Sequence, residues 1–186
     1  MTRVRKPAQT RRDARGARLT TPFRPPYGAG MPELPEVETV RRMLDAHARG
    51  RTVGAASTSR LGLRSQPIRG LDRGLRGRRL ESIGRHGKYL LFGFERGVTM
   101  LSHLGMSGRW LFFEARPEKA LPHVHARLRF DDGSELWFQD PRRFGQLRLV
   151  RTTEASADPS LAILGPDPIA TPPTGDGLRD LARGPG

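Results

Sequence analysis

The chain contains no cysteine. Disulfides and thiolate metal sites are therefore excluded within it, and with them the small disulfide-stapled scaffolds. No apolar run approaches the roughly 20 residues that cross a bilayer as a helix. The N-terminus also lacks the apolar stretch of a secretory signal. A soluble, cytoplasmic protein with no membrane partner is the expectation. Lysine is scarce too, with only Lys6, Lys88 and Lys119 among 33 basic residues, and acids number only 19. What is present in excess is arginine, which leaves a formal charge of +14. That imbalance favours a polyanionic partner, nucleic acid ahead of an acidic membrane surface, with the codon bias of a GC-rich gene as the bland alternative. At 186 residues the chain can bury one ordinary core.

The charge is unevenly distributed. Residues 1–30 carry 8 Arg or Lys against one acid, Asp13, so this segment holds +7 of the +14. It lacks apolar periodicity and closes on the breaker-rich PFRPPYGAG, a composition that cannot pack a core. It is expected to be disordered. Three readings of it stay open: a basic nucleic-acid arm, an Arg-rich transit segment, or sequence upstream of a misplaced start. From Leu34 the pattern turns helical, with Leu34, Val37, Val40 and the pair Met43/Leu44 on one face. Pro35 suits the first turn, Glu36 and Glu38 read as helix-start glutamates, and Gly50 is the stop.

After Gly50 the chain reads as short strands: TVGAAS, RRLESIGRHG, KYLLFGF, VTMLSHLG, RWLFFEA, HARLRF, ELWFQD and QLRLV. The DDG at Asp131–Gly133 signals a hairpin. The predicted fold class is α+β: an antiparallel β-sandwich with an N-terminal helix and one or two short flanking helices. ADPSLAIL can form one of these, GPDPIATPPTGDG reads as a linker, and DGLRDLARGPG as the beginning of a further helix.

Four stretches then carry a resemblance. MPELPEVETV at 31–40, GKYLLF at 87–92, HLGMSG at 103–108 and DPRRFG at 140–145 occur in the order found in bacterial formamidopyrimidine-DNA glycosylases. LGPDP at 164–168 resembles the exit from that family's N-terminal catalytic domain, so the resemblance covers residues 31–168. It implies a base-excision repair DNA glycosylase/AP lyase that acts on oxidised purines (formamidopyrimidine, 8-oxoguanine). The implied partner is damaged double-stranded DNA, met by a monomer at the bacterial nucleoid.

The resemblance also assigns roles. Pro32 becomes the nucleophile, through a secondary amine exposed when Met31, the implied initiator, is removed. An α-amino group titrates near pH ~8, so a usable fraction is unprotonated at neutral pH. Attack on the sugar C1′ displaces the base and forms an iminium ion, the electron sink for strand elimination. In a peptide bond to Met31 the same nitrogen is an amide and cannot do this. Glu33 is implied as general acid/base at the opening sugar, and Lys88 as phosphate contact and proton donor in β-elimination. Met106 fills the void left by the extruded nucleotide, Arg142 hydrogen-bonds the orphaned partner base, and Phe144 stacks beside it. His123 falls where the family has a DNA-contacting histidine, although Val124 and Arg127 depart from acidic residues there. Asp140 is expected to orient the DPRRFG loop. Apart from the motifs, Met106 and Phe144 read as core side chains. His123 and His125, two residues apart on a strand, form the one candidate metal pair, without a third ligand.

The family continues into a helix–two-turns–helix domain and a four-cysteine zinc finger. A chain with no cysteine and 18 residues after Pro168 holds neither. No cofactor is therefore expected in this chain. The expected organisation is a basic extension at 1–30, a catalytic domain at 31–168, and a linker with the start of a missing helical DNA-binding domain at 169–186. Such a fragment is expected to be weak or inactive alone. The alternative is a non-catalytic DNA-binding remnant of the family. An unrelated basic β-protein that binds RNA would require the ordered motifs to be accidental.

Overall fold

Alternation of large apolar with small or polar side chains shapes the strands. In β3 (Tyr89–Phe94), Leu90, Phe92 and Phe94 are buried while Tyr89, Leu91 and Gly93 are only partly covered, the period-2 pattern of a sheet with one face on a core. A computed structural model describes residues 32–64, 68–165 and 167. The extension expected at 1–30 and the linker expected at 169–186 lie outside the described residues. The elements run α1 (Leu34–Ala48), β1 (Val53–Thr58), α2 (Leu71–Leu75), β2 (Leu80–His86), β3, β4 (Val98–His103), β5 (Arg109–Phe113), β6 (Val124–Phe130), β7 (Glu135–Gln139), β8 (Gln146–Arg151) and α3 (Pro159–Ala162). A 3-10 turn occupies Thr152–Glu154.

Two four-stranded antiparallel sheets, ordered β1-β6-β7-β5 and β2-β3-β4-β8, face one another. Between them Phe92, Trp110 and Phe138 form a run of tilted aromatic pairs with centroids 5.2 and 5.0 Å apart. The fully buried indole N–H of Trp110 donates to Ser102 Oγ at 3.0 Å, so no donor is stranded in the core. All eight strands foreseen from the sequence form, and the Asp131–Gly133 hairpin closes with Phe130 N–H on the Ser134 carbonyl at 2.9 Å.

The helices close the two seams of the sandwich. α1 buries Val37, Val40, Met43, Leu44 and Ala48 and packs on β2 and β5, an edge strand from each sheet. α2 packs on β1 and β8, the two opposite edge strands. Covered edges cannot recruit a foreign strand. α2 is absent from the sequence prediction because five residues containing Gly74 show no readable period. Gly74 lies against the Leu149 side chain of β8, which a larger residue there would have to displace.

Glu36 and Glu38 play different parts. Glu36 caps the helix start, accepting the Glu33 N–H at 2.8 Å. Glu38 departs from the helix-start role expected of it, because its carboxylate is the meeting point of Arg41, Arg42 and Arg85. Arg85 Nε donates to Glu38 Oε2 at 3.0 Å, and its Nη2 to Asp167 Oδ1 at 2.9 Å. The Arg85 side chain is only 3% exposed, so three segments distant in sequence share one buried cation. Burial by itself would raise the Glu38 pKa, but the guanidinium hydrogen bonds outweigh it and hold the carboxyl at about 2.

A depressed carboxyl pKa stabilises the fold above the ordinary value of 4.5, and that contribution is lost as pH falls through about 2. Denaturant unfolding followed from pH 7 to pH 2 should therefore show stability declining below pH ~4.5. Glu38→Gln should cost about 3 kcal/mol at pH 7, as breaking a buried pair does, and should flatten the acid limb. An unchanged limb in that variant would contradict the assignment.

Candidate active site and nucleic-acid interface

Pro32 and Glu33 immediately precede α1, and Pro32 is buried. Lys88 sits in the two-residue turn between β2 and β3, bounded by the pair His86–Tyr89. Gly87, with φ of +53°, takes the first turn position, where a side chain would be strained. The turn is clamped from behind. Arg85 Nη1 donates to the Gly87 carbonyl at 2.9 Å, while Gly87 N–H donates to Asp167 Oδ2 at 2.8 Å. Lys88 Nζ then donates to Glu33 Oε2 at 2.9 Å across 55 residues of sequence. The turn thus delivers the ammonium to the Pro32–Glu33 segment, and both charged side chains keep solvent access.

His103 connects this group to the next. Its ring tilts against Tyr89 at 4.7 Å, and Nδ1 accepts the Gly105 N–H at 3.1 Å. Burial, then the nearby Lys88 charge, pushes its pKa below the usual histidine value, favouring a neutral ring. Register places His103 opposite both Tyr89 and Gln146. The Lys88 turn, the HLGMSG loop and the end of DPRRFG therefore lie at one end of the β2-β3-β4-β8 sheet.

The two wedge-bearing loops interlock. Asp140 is fully buried; its Oδ1 accepts the Ser107 hydroxyl at 2.5 Å and its Oδ2 the Gly145 N–H at 2.7 Å. Ser107 Oγ in turn accepts the Arg142 N–H at 3.1 Å. Asp140 thus organises the loop, as its place in DPRRFG leads one to expect. Gly105, φ +62°, lets the backbones touch: a Cβ there would come within 2.6 Å of the Phe144 carbonyl carbon. The outcome is that Met106 and Phe144, 37% and 38% exposed, stand in solvent rather than in the core. Arg142 is exposed beside them, with its guanidinium 5.3 Å from the Phe144 ring centroid. Arg64 approaches the same ring at 5.0 Å, and its N–H donates to the Arg143 carbonyl at 2.8 Å. A third loop, residues 59–64, is thereby drawn into the cluster.

His123 and His125 separate. A bulge interrupts the β6–β7 register between Val124 and Ala126, and His123 has φ of +61° with an exposed side chain. Its carbonyl accepts the Asp140 N–H at 2.9 Å, placing it beside the DPRRFG loop. His125 is 3% exposed, and Nε2 can only donate to the Asp140 carbonyl at 3.0 Å. Nδ1 is left to accept the Ser59 hydroxyl at 2.9 Å. Both ring nitrogens are engaged, so the pair cannot serve as two free ligands. Among the described residues no group of three or more His, Cys, Asp or Glu is placed to hold a metal. His103, Ser107, Arg64 and the Arg85–Asp167 clamp escaped the sequence reading. Only His103 and Ser107 carried a signal, since both lie inside HLGMSG.

Gly105→Ala should lower the melting temperature more than Gly97→Ala. Both positions have positive φ, but a Cβ at Gly97 meets nothing within 4 Å whereas one at Gly105 meets backbone. The expected difference is roughly 1–3 kcal/mol, the scale of local backbone strain. Equal melting points for the two variants would show that the loops are not interlocked.

The sequence profile described as "Formamidopyrimidine-DNA glycosylase N-terminal domain" matches residues 31–147. A formamidopyrimidine-DNA glycosylase of Acidiphilium cryptum is 44% identical over 139 residues, covering 75% of this chain and 49% of that protein. Its counterpart in Thiobacillus denitrificans is 47% identical over 141 residues, covering 76% and 51%. The chain thus spans about half the length of the curated relatives it matches. Among solved structures, Lactococcus lactis Fpg in complex with DNA containing N7-benzyl-Fapy-dG superposes with a TM-score of 0.61 at 30% identity, over 68% of this chain and 46% of that one. The same protein in complex with DNA containing an abasic site gives a TM-score of 0.61 at 30% identity, with the same coverage. The profile takes in α1, the strands β1 to β7 and the four ordered motifs, and the chain belongs to the formamidopyrimidine-DNA glycosylase family, whose N-terminal domain it carries.

Proposed function

We propose that this chain supplies the catalytic half of a base-excision repair DNA glycosylase/AP lyase for oxidised purines in double-stranded DNA. The observation that carries this reading is the Lys88–Glu33 contact of 2.9 Å beside Pro32, at the sheet end that also presents Met106, Arg142 and Phe144. A freed Pro32 amine attacks C1′ of the damaged nucleotide, the C1′–N bond breaks, and the base leaves with a proton. Loss of the ring oxygen from C1′ gives the iminium, with Glu33 passing protons at the opening sugar. Removal of a C2′ proton then expels the 3′ phosphate. Lys88 contacts a flanking phosphate and donates the proton that the elimination requires. Met106 and Phe144 enter the stack in place of the extruded nucleotide, and Arg142 addresses its widowed partner. His123 adds a backbone contact from the neighbouring loop.

Two features favour the second reading, a non-catalytic DNA-binding remnant. Pro32 is buried, and in this sequence its nitrogen is bonded to Met31. Borohydride trapping separates the two readings. A chain beginning at Pro32 should form a covalent adduct with duplex DNA bearing 8-oxoguanine or an abasic site, and a chain retaining Met31 should form none. Glu33→Gln should slow trapping while leaving DNA binding in place. Arg142→Ala should weaken binding by about 1–3 kcal/mol. Steeply salt-dependent binding with no adduct from the Pro32-initiated chain would establish the remnant instead.

A further inference from the structure

The outer face of the β1-β6-β7-β5 sheet holds a cavity of about 290 Å³. Small side chains create it: β1 contributes only Ala55, Ala56 and Ser57, which leaves room beneath the 116–120 loop. Cross-strand register sets two rows on this face, Ser57–Arg127–Trp137 and Ala55–Arg129–Glu135. Arg127 and Arg129 are therefore neighbours on one face, about 7 Å apart along the strand. Arg116 joins them from the loop, and Glu118 lines the same space.

The charges here are not matched as the register would suggest. Glu135 stands directly opposite Arg129, yet its Oε2 accepts the Trp137 indole N–H at 2.5 Å. The Arg127 guanidinium lies 4.7 Å from the Trp137 ring centroid. Its Nε is closed to solvent and has no hydrogen-bond partner among the described residues. None of Arg116, Arg127 and Arg129 forms a salt bridge or side-chain hydrogen bond among the described residues. Arg127 is half-buried, with the Trp137 ring beside its guanidinium. Elsewhere on this molecule Arg41, Arg42, Arg51, Arg76, Arg85 and Arg148 each meet a carboxylate.

We propose that this cavity binds a small phosphate-bearing anion of pyrophosphate size. A guanidinium laid on an indole is oriented before any ligand arrives, and its planar fork takes a phosphoryl group in bidentate fashion. Two forks side by side on β6 address two linked phosphoryl groups, and Arg116 closes over them from the loop. The volume lies at the lower end of small-molecule sites, which run roughly 300–1,000 Å³, so a large cofactor is excluded. No lining residue belongs to the Lys88 turn, the HLGMSG loop or the DPRRFG loop, so the site stands apart from the proposed repair chemistry.

Isothermal titration of the 186-residue chain with sodium pyrophosphate at fixed ionic strength tests this. Saturable one-to-one binding is expected, weakened at least tenfold by Arg127→Gln combined with Arg129→Gln. Arg116→Gln, in the covering loop, should weaken it about threefold and serves if the strand variant fails to fold. Arg142→Gln should leave it unchanged. Non-saturable heats, indifference to Arg116→Gln, or loss of binding with Arg142→Gln would overturn the proposal. Citrate binding as tightly as pyrophosphate would overturn the phosphate assignment, and displacement by a short undamaged duplex would make the surface part of the DNA track instead.

Discussion

The guanidinium of Arg85 is the point on which this domain is organised. It reaches from β2 to Glu38 on α1 and to Asp167 beyond α3, and it also holds the carbonyl of Gly87 in the adjoining turn. A buried cation bound to two carboxylates adds little net stability over a well-packed apolar substitute. What it does add is geometry. The helix that begins at Leu34 and the turn that carries Lys88 are each fastened to the same planar group, so their separation is set by a rigid fork. The 2.9 Å contact between Lys88 and Glu33 is downstream of that fork.

At the loop end a different device gives the same kind of order. Buried polar groups that are all satisfied fix the backbone while leaving apolar side chains in solvent. Asp140 meets Ser107 and Gly145, His125 meets the Asp140 carbonyl and Ser59, and Arg64 meets the Arg143 carbonyl. Met106 and Phe144 do not sink into the core because their loops are already committed to this network. Arg64 and Arg142 both lie over the Phe144 ring, so two cations contact that exposed side chain. Exposed apolar groups on rigid loops are what insertion between base steps requires.

The arginine surplus has two uses here. Arg41, Arg42, Arg85 and Arg148 are drawn into the fold by carboxylates. Arg142 with Arg64 at the loop end, and Arg116, Arg127 and Arg129 on the outer sheet face, remain available to anions from outside. The distinction is invisible in the composition. Arg127 and Arg85 are each one arginine in a strand, and only their surroundings separate a structural cation from a recognition group.

The local pattern alone determined α1, all eight strands and the hairpin at Asp131–Gly133, because the periods of 3.6 and 2 and the turn residues are written within a few neighbours. The ordered motifs single out Pro32, Glu33, Lys88, Met106, Arg142 and Phe144 through the family resemblance. α2 stayed hidden because Leu71–Leu75 is too short to show a period. The bond from residue 38 to 85 and from 85 to 167, the bulge that parts His123 from His125, and the cation on Phe144 from Arg64 all join residues far apart in the chain. Periodicity carries no information about such pairs. They exist only once two sheets have closed on a common core and brought their ends together, and that closure alone decided which charges are buried, which are paired, and which are left to meet a partner.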